Sequence, residues 1–171
     1  MNPVSSESQS QSQIQGCYPP ELATCQVLVL GKLGYAIKRR AIEALEADGA
    51  SLYDFSVLGV LARGACEGQN ALADILQLDR SQLVGLLDGL EERGLIERRR
   101  DPSDRRRHTV SLTDAGAREF ERVRGIVKQI EADFLEPLSK EERKTLYELA
   151  LRALAHHDVR FDIGSEIKLA S

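Results

Sequence analysis

The sequence predicts a mainly α-helical fold that contains one β-hairpin. Leu, Ala, Val and Ile supply most of the apolar content, Trp is absent, and there are only four Phe and four Tyr. This composition favours helices packed on helices over an aromatic-rich β-sandwich. Apolar residues recur every three to four positions along most of the chain, and a single segment near residue 110 alternates instead.

The N-terminal part predicts a flexible arm followed by a long helix. Residues 1–20 are rich in Ser and Gln and hold few core-forming side chains, so they cannot offset their own ordering entropy. A helix is expected over about 21–48, where the apolar positions follow one face: Leu30, Leu33, Ile37, Ala41 and Ala44. Ser51 has the position of an N-cap for a shorter helix that ends before Gly64.

A compact pair of helices is predicted next. Asn70 can cap the first helix, and Asp79 with Gln82 has the pattern of a capping box at the start of the second. Leucines at i, i+3, i+4 and i+7 mark the buried face of that second helix: Leu83, Leu86, Leu87 and Leu90. Gly94 stands where a left-handed stop is expected.

The period then changes to two, which predicts a two-stranded β-hairpin. Residues 95–100 and 107–112 flank a turn at 101–104, and polar and apolar side chains alternate along the second arm. This hairpin is the one sheet that the sequence predicts.

Two long helices follow the hairpin. Thr113 can cap the first, which Pro137 closes, and its apolar residues have the 3-4 rhythm of a helix that packs on a partner: Phe120, Val123, Val127, Ile130 and Phe134. A capping box at 139–142 opens the second, which is expected to reach about residue 157.

Four helices, a hairpin and two further helices are the order of a winged helix-turn-helix flanked by long dimerisation helices. We therefore expect an N-terminal arm at 1–20, a winged-helix domain at 21–157 and a C-terminal tail at 158–171. Within the domain, a lobe at about 51–113 would bind DNA. The helices at about 21–48 and 114–157 would form the dimer.

The charge distribution points to a polyanionic partner despite the acidic total. The net charge is -4, yet residues 98–107 hold six arginines against Asp101 and Asp104, a local charge of +4. Concentration of positive charge in one short segment is typical of an electrostatic footprint for nucleic acid. The overall acidity supports an alternative, a winged helix that acts only as a protein-interaction module.

The candidate DNA-contacting residues lie in two places. A helix-turn-helix reads base edges with the exposed first residues of its second helix, here Arg80, Ser81 and Gln82. Arg and Gln have the fork geometry that suits guanine and adenine. Arginines on a two-stranded ribbon can enter a narrow minor groove, and the hairpin offers Arg99, Arg105, Arg106 and Arg107.

About 40 residues of this region resemble the signature of the MarR family of bacterial transcriptional regulators. The resemblance is carried by Asp79-Arg80-Ser81, Leu90 to Ile96, Arg98, Asp101 to Arg106 and Val110 to Gly116. It implies that Arg106 is the wing-tip arginine and that Asp104 braces the wing. It also implies a homodimer on double-stranded DNA, with recognition helices in successive major grooves of a pseudo-palindromic operator about 10 base pairs apart.

The same resemblance implies a small-molecule effector, because members of the family commonly bind aromatic or phenolic anions. Residues 33–39 resemble the part of the first helix that lines the effector cleft, which nominates Tyr35 and Arg39, with Tyr53 and Arg118 as further candidates. An arginine suits a carboxylate because it can bind both oxygens. We expect a repressor that such a ligand releases from DNA.

An oxidant sensor is the alternative switch. One branch of the family uses a cysteine early in the first helix, and Cys25 is close to that location, although about two positions toward the N-terminus. A buried structural cysteine is the competing interpretation. The three cysteines show no paired spacing, so neither structural disulfides nor structural zinc is expected.

No pattern in the sequence indicates an enzyme or a cofactor. His108, His156 and His157 lack the spacing of a metal site, and neither a phosphate-binding loop nor a nucleophile elbow is present. The chain shows neither a signal-peptide pattern nor an apolar run of about 18 residues, which predicts a cytoplasmic protein.

Overall fold

The computed structural model describes residues 18–64, 66, 67, 69–100 and 108–162. The chain divides into two compact units, residues 1–39 and 40–171. The helices are α1 (Pro20–Ala23), α2 (Gln26–Ala47), α3 (Leu52–Leu61), α4 (Gln69–Leu76), α5 (Arg80–Glu92), α6 (Asp114–Phe134) and α7 (Lys140–His157). The strands are β1 (Cys66–Glu67), β2 (Ile96–Arg100) and β3 (His108–Leu112), and a 3-10 turn at Val159–Phe161 follows α7.

In the first unit, two helices replace the single helix that was predicted to begin at about residue 21. Pro20 starts a four-residue helix, since its fixed φ suits the first helical position and its missing N–H is not needed there. The helix ends at Thr24, whose hydroxyl donates to the Glu21 carbonyl at 3.0 Å. The next N–H, that of Cys25, donates to the Leu22 carbonyl at 3.1 Å instead of continuing the i→i−4 pattern. The long helix α2 therefore begins only at Gln26.

The main core of the second unit confirms the predicted leucine face of α5. Leu83, Leu87 and Leu90 are fully buried, whereas Leu86 is only half-buried. They pack with buried residues from the neighbouring elements: Val57, Leu58 and Leu61 of α3, Leu72 of α4, Ile96 of β2 and Val110 of β3. This core holds α5 against the rest of the lobe and leaves its opposite face to solvent.

A second, smaller core holds α6 against α3 and the end of α2. Leu45, Ala50 and Val123 are buried together. Phe55 and Phe120 stack beside them with ring centroids 5.2 Å apart.

The hairpin is confirmed and has a third strand at its edge. β2 and β3 pair antiparallel from Ile96↔Leu112 to Arg100↔His108. The short β1 pairs with the other side of β3, so that the strand order is β1-β3-β2. A strand of two residues is too short to show an alternating pattern, which is why the sequence did not predict it.

Four predicted N-caps are confirmed: Ser51, Asp79, Thr113 and Ser139 all accept from backbone N–H groups of the helices they precede. The reciprocal contact of a capping box forms at Ser139, where Glu142 accepts from the Ser139 N–H at 2.8 Å. At Asp79 the cap accepts from the Gln82 N–H. The prediction that Asn70 is a cap is wrong, because α4 begins one residue earlier, at Gln69.

Two glycines that follow helices adopt the left-handed conformation, and one of them is the predicted stop Gly94. Gly49 has φ 71° after α2 and Gly94 has φ 67° after α5, a region that favours a residue without a Cβ. Among the described residues, no helix combines the length and apolar character that crossing a bilayer requires.

Candidate nucleic-acid interface

The first turn of α5 presents the three predicted base-reading residues to solvent. Arg80, Ser81 and Gln82 are all exposed. The Asp79 carboxylate accepts from the Gln82 N–H at 2.9 Å and from the Ser81 hydroxyl at 2.5 Å. These bonds, with the Ser81 hydroxyl the largest cause, hold the pKa of Asp79 below its ordinary value.

The other end of α5 is tied to the wing strand β2 through Arg98. The Arg98 Nε donates to Glu91 Oε2 at 2.8 Å, and Nη2 lies 2.6 Å from Asp88 Oδ1. The Arg98 N–H also donates to Glu91 Oε1 at 3.2 Å. Glu91, followed by Asp88, raises the pKa of the Arg98 guanidinium above its ordinary value. The planar fork of arginine allows this double contact.

Arg99 occupies the opposite face of the same strand. Its side chain is 76% exposed, and its Nη2 lies 3.0 Å from Glu97, which also accepts from the Ser111 hydroxyl at 3.2 Å. Successive strand residues point to opposite faces. Arg98 therefore braces α5 while Arg99 is presented to solvent.

The junction between α5, the wing and α6 is closed by Thr113. Its hydroxyl donates toward the Gly94 and Leu95 carbonyls and accepts from the Gly116 N–H at 3.0 Å. Gly116 is buried, and a Cβ at this position would lie 2.0 Å from the Leu95 carbonyl oxygen. A glycine is required for this close approach of two backbones.

The wing tip carries the remaining predicted DNA contacts. Asp104, Arg105, Arg106 and Arg107 lie outside the described residues. Their roles stay predictions.

One of the predicted effector residues lines a cavity beside the recognition helix. Tyr53, Leu78, Gln82, Gly85 and Leu86 line an open cavity of about 310 Å³. Tyr53 comes from the first turn of α3, and three of the other residues come from α5. The cavity thus brings an effector candidate and a base-reading candidate together.

The other switch candidates are placed separately. Tyr35 and Arg39 are exposed residues of α2 in the first unit, and Arg118 is an exposed residue of α6 in the second. Cys25 is half-buried at the break between α1 and α2, where its carbonyl accepts from Val29.

The sequence reasoning missed two features of this region. Arg98, Glu91 and Asp88 form the brace between α5 and the wing. The sequence analysis included Arg98 in the family resemblance but did not predict these contacts. The second missed feature is the role of Leu86, which the sequence assigned only to the apolar face of α5. Leu86 also lines the cavity, because the fold brings Tyr53 from a distant part of the chain next to α5.

Comparison with known proteins gives the family. The MarR family profile matches residues 54–108. A protein of Thauera aromatica that is assigned to transcriptional regulation of the hcr operon is 34% identical over 130 residues, which cover 71% of this chain and 78% of the relative. This chain belongs to the MarR family.

Solved structures of transcriptional regulators share the fold. The transcriptional repressor CouR, bound to a 23-mer DNA duplex, matches with a TM-score of 0.72 and 28% identity, covering 81% of this chain and 99% of CouR. The PcaV regulator of Streptomyces coelicolor, in complex with its natural ligand, matches with a TM-score of 0.64 and 27% identity, covering 80% and 96%. The MarR-family chain thus has the winged-helix fold that was predicted.

Proposed function

We propose that this MarR-family chain is a homodimeric, sequence-specific DNA-binding repressor. The supporting observation is the first turn of α5, where Asp79 fixes the backbone and Arg80, Ser81 and Gln82 stay exposed above a buried leucine face. A helix held in this way can enter a major groove as a rigid probe. The complex of CouR with a DNA duplex shows that a protein of the same fold binds this partner.

Exposed apolar side chains on the long helices support the homodimer. In the first unit α2 leaves Val27, Val29 and Leu30 exposed, and in the second unit α7 has no buried residue and exposes Leu149 and Leu154. Apolar helix faces of this kind mark protein interaction sites. A second copy of the chain is the partner that would place two α5 helices on one duplex.

The wing supplies the second half of the proposed DNA contact. Arg99 is exposed on β2, and by the family resemblance Arg106 enters the minor groove. Each lost phosphate contact lowers the dependence of log affinity on log salt by about one. We expect Arg106→Ala to weaken binding and to reduce this slope, and an unchanged slope would contradict a wing contact.

Base reading by α5 is tested with duplexes that the wild-type protein enriches from a randomised double-stranded library. Gln82→Ala should lower affinity for an enriched duplex by about 1–3 kcal/mol and relax the preference at one position. Gln129→Ala, which changes an exposed glutamine of α6, is the control and should bind as wild type does. Equal effects of the two substitutions would contradict the assignment of Gln82.

We further propose that a small aromatic or phenolic anion releases the protein from DNA. The cavity of about 310 Å³ beside Tyr53 has the size of a small-ligand site, and Gln82 on its wall belongs to the base-reading turn. A ligand in the cavity would therefore touch a residue that the operator also needs. Tyr35, Arg39 and Arg118 stay predicted effector residues on the strength of the family resemblance.

Thermal unfolding in a panel of aromatic acids tests the effector. A ligand should raise the Tm of wild type and of Tyr147→Ala, a tyrosine variant on α7, and should raise that of Tyr53→Ala much less. The same rise in Tm, measured for Arg39→Ala and for Arg118→Ala, shows which of the two arginines contributes to ligand binding. Equal stabilisation of Tyr53→Ala and wild type would exclude this cavity.

A further inference from the structure

The helix-turn-helix has an unusual turn. α4 ends at Leu76, and Gln77 takes a positive φ of 52°. The Leu78 N–H closes the turn by donating to the Ala73 carbonyl at 3.1 Å. Such an end normally holds glycine, because other L-residues are disfavoured in the left-handed region. Contacts from elsewhere in the chain can therefore stabilise this turn.

Arg160 supplies those contacts from the segment after α7. Its Nη1 donates to the Asp74 carbonyl, in the last turn of α4, at 3.1 Å. With its amide oxygen turned toward the guanidinium, Gln77 accepts from Nη1 at 3.1 Å. A cationic donor at a helix C-terminus satisfies a carbonyl without an intrahelical partner and complements the helix dipole.

Asp158 fixes the guanidinium in this orientation. It accepts from Arg160 Nε at 2.7 Å, from the Arg160 N–H at 3.1 Å and from Nη2. The side chains of Arg160 and Asp158 are only 31% and 20% exposed. The fork of arginine lets one side chain hold Asp158 on one edge and reach α4 with the other.

We propose that Arg160 is a positioning residue for operator binding, which fixes the turn between α4 and α5 and connects it to the end of α7. The set of Asp158, Arg160, Gln77 and the Asp74 carbonyl is the Arg160 clamp. This inference rests on the proposed DNA-binding function, because α5 is the helix that the turn aims. Arg160 acts on α5 indirectly, through its contacts with Gln77 and the Asp74 carbonyl. The clamp thereby connects the segment after α7 to the turn that precedes α5.

Hydrogen exchange tests the clamp without DNA. In Arg160→Ala the amides of Leu78, Gln82 and Leu83 should exchange about five to ten times faster than in wild type. Arg63→Ala removes the same charge from an exposed position after α3 and should leave these amides unchanged. If Arg160→Ala also leaves them unchanged, the clamp does not hold the turn and the proposal is overturned.

Binding tests the positioning role. The ratio of affinities for a wild-type-enriched duplex and for the unselected duplex pool should fall about five- to tenfold in Arg160→Ala, while affinity for the pool stays the same. Arg160→Lys keeps the charge but loses the fork, so its ratio should lie between those of wild type and Arg160→Ala. Gln77→Gly in the Arg160→Ala background should restore much of the ratio, since glycine adopts the positive φ without strain.

The outcomes separate this inference from the function on which it rests. A rise in exchange with an unchanged ratio would leave Arg160 a structural residue only and overturn the proposal, as would a fall in the ratio with no rescue by glycine. A wild-type protein that enriches no duplex would contradict the proposed function. In that case the hydrogen-exchange rates alone decide whether Arg160 holds the turn between α4 and α5.

Discussion

At the scale of single residues, Gly116 occupies a position that leaves no room for a Cβ. Its backbone lies so close to Leu95 that a Cβ would overlap the carbonyl oxygen at 2.0 Å and meet the Leu112 side chain at 2.8 Å. The nearer contact is backbone, which cannot rotate away. The position was visible in the sequence only as part of the family resemblance, because a glycine inside a helix shows no period.

Gly116→Ala should therefore destabilise the protein by about 3 kcal/mol or more, since overpacking a tight site forces the backbone to move. Gly125→Ala in the same helix is the matched control, because nothing lies within 4 Å of its added Cβ. The control should gain about 0.5–1 kcal/mol from helix propensity. Urea unfolding at one protein concentration measures both, and similar values for the two variants would contradict the close approach.

Asp79 gives a residue-level prediction with a pH dependence. Its pKa is lowered in the folded protein by the Ser81 hydroxyl and the Gln82 N–H. A lowered folded pKa means that the stabilisation is present above the unfolded pKa and is lost as the pH falls through the folded value. The stabilisation from the Asp79 carboxylate should therefore be complete at neutral pH and should decline below about pH 4.

The comparison with Asp79→Asn isolates this effect, because asparagine caps a helix without titrating. The difference in Tm between wild type and Asp79→Asn should favour wild type at neutral pH and should shrink toward pH 3. Other carboxylates titrate equally in both proteins and cancel in the difference. A difference independent of pH would mean that the Asp79 charge does not stabilise α5.

At the scale of elements, the order of the long helices and the hairpin followed from local signals. Caps such as Ser51 and Thr113 and the leucine period of α5 depend on residues close in the chain, so they can be read from sequence. The break at Thr24 and the strand Cys66–Glu67 could not, because neither glycine nor proline marks the break and the strand pairs with β3 more than 40 residues away. The Arg98 brace likewise depends on the fold of the wing.

Two neighbouring arginines of β2 should have opposite phenotypes. Arg98→Ala removes the contacts to Glu91 and Asp88 and should lower the free energy of unfolding by about 1 kcal/mol, the range of partly exposed ion-pair networks. Arg99→Ala removes an exposed side chain. It should leave stability within about 0.5 kcal/mol of wild type and weaken DNA binding.

Chemical unfolding measures the stability of Arg98→Ala and Arg99→Ala, and salt-dependent DNA binding measures their affinity. Arg98→Lys should recover little of the lost stability, since a lysine ammonium lacks the planar fork. Loss of stability in Arg99→Ala, or none in Arg98→Ala, would contradict the division of the wing strand into a bracing face and a solvent face.

At the scale of the whole molecule, the acidic total coexists with a local excess of positive charge in the sequence. The chain carries a net charge of -4, but the recognition helix begins with Arg80 and the wing strand ends in an arginine run. The sequence alone predicts both of these proposed DNA probes. It did not show the Arg160 clamp, because Asp74 and Arg160 are 86 positions apart and the residues after α7 have no period of their own.

The central claim is that two copies of the chain present paired probes, each made of α5 and a wing, to one DNA duplex. The half-site pattern of the duplexes enriched from a random library tests it most directly. The account predicts inverted half-sites with centres about 10 base pairs apart, one helical turn. Enriched duplexes that carry a single half-site, or half-sites in the same orientation, would contradict it.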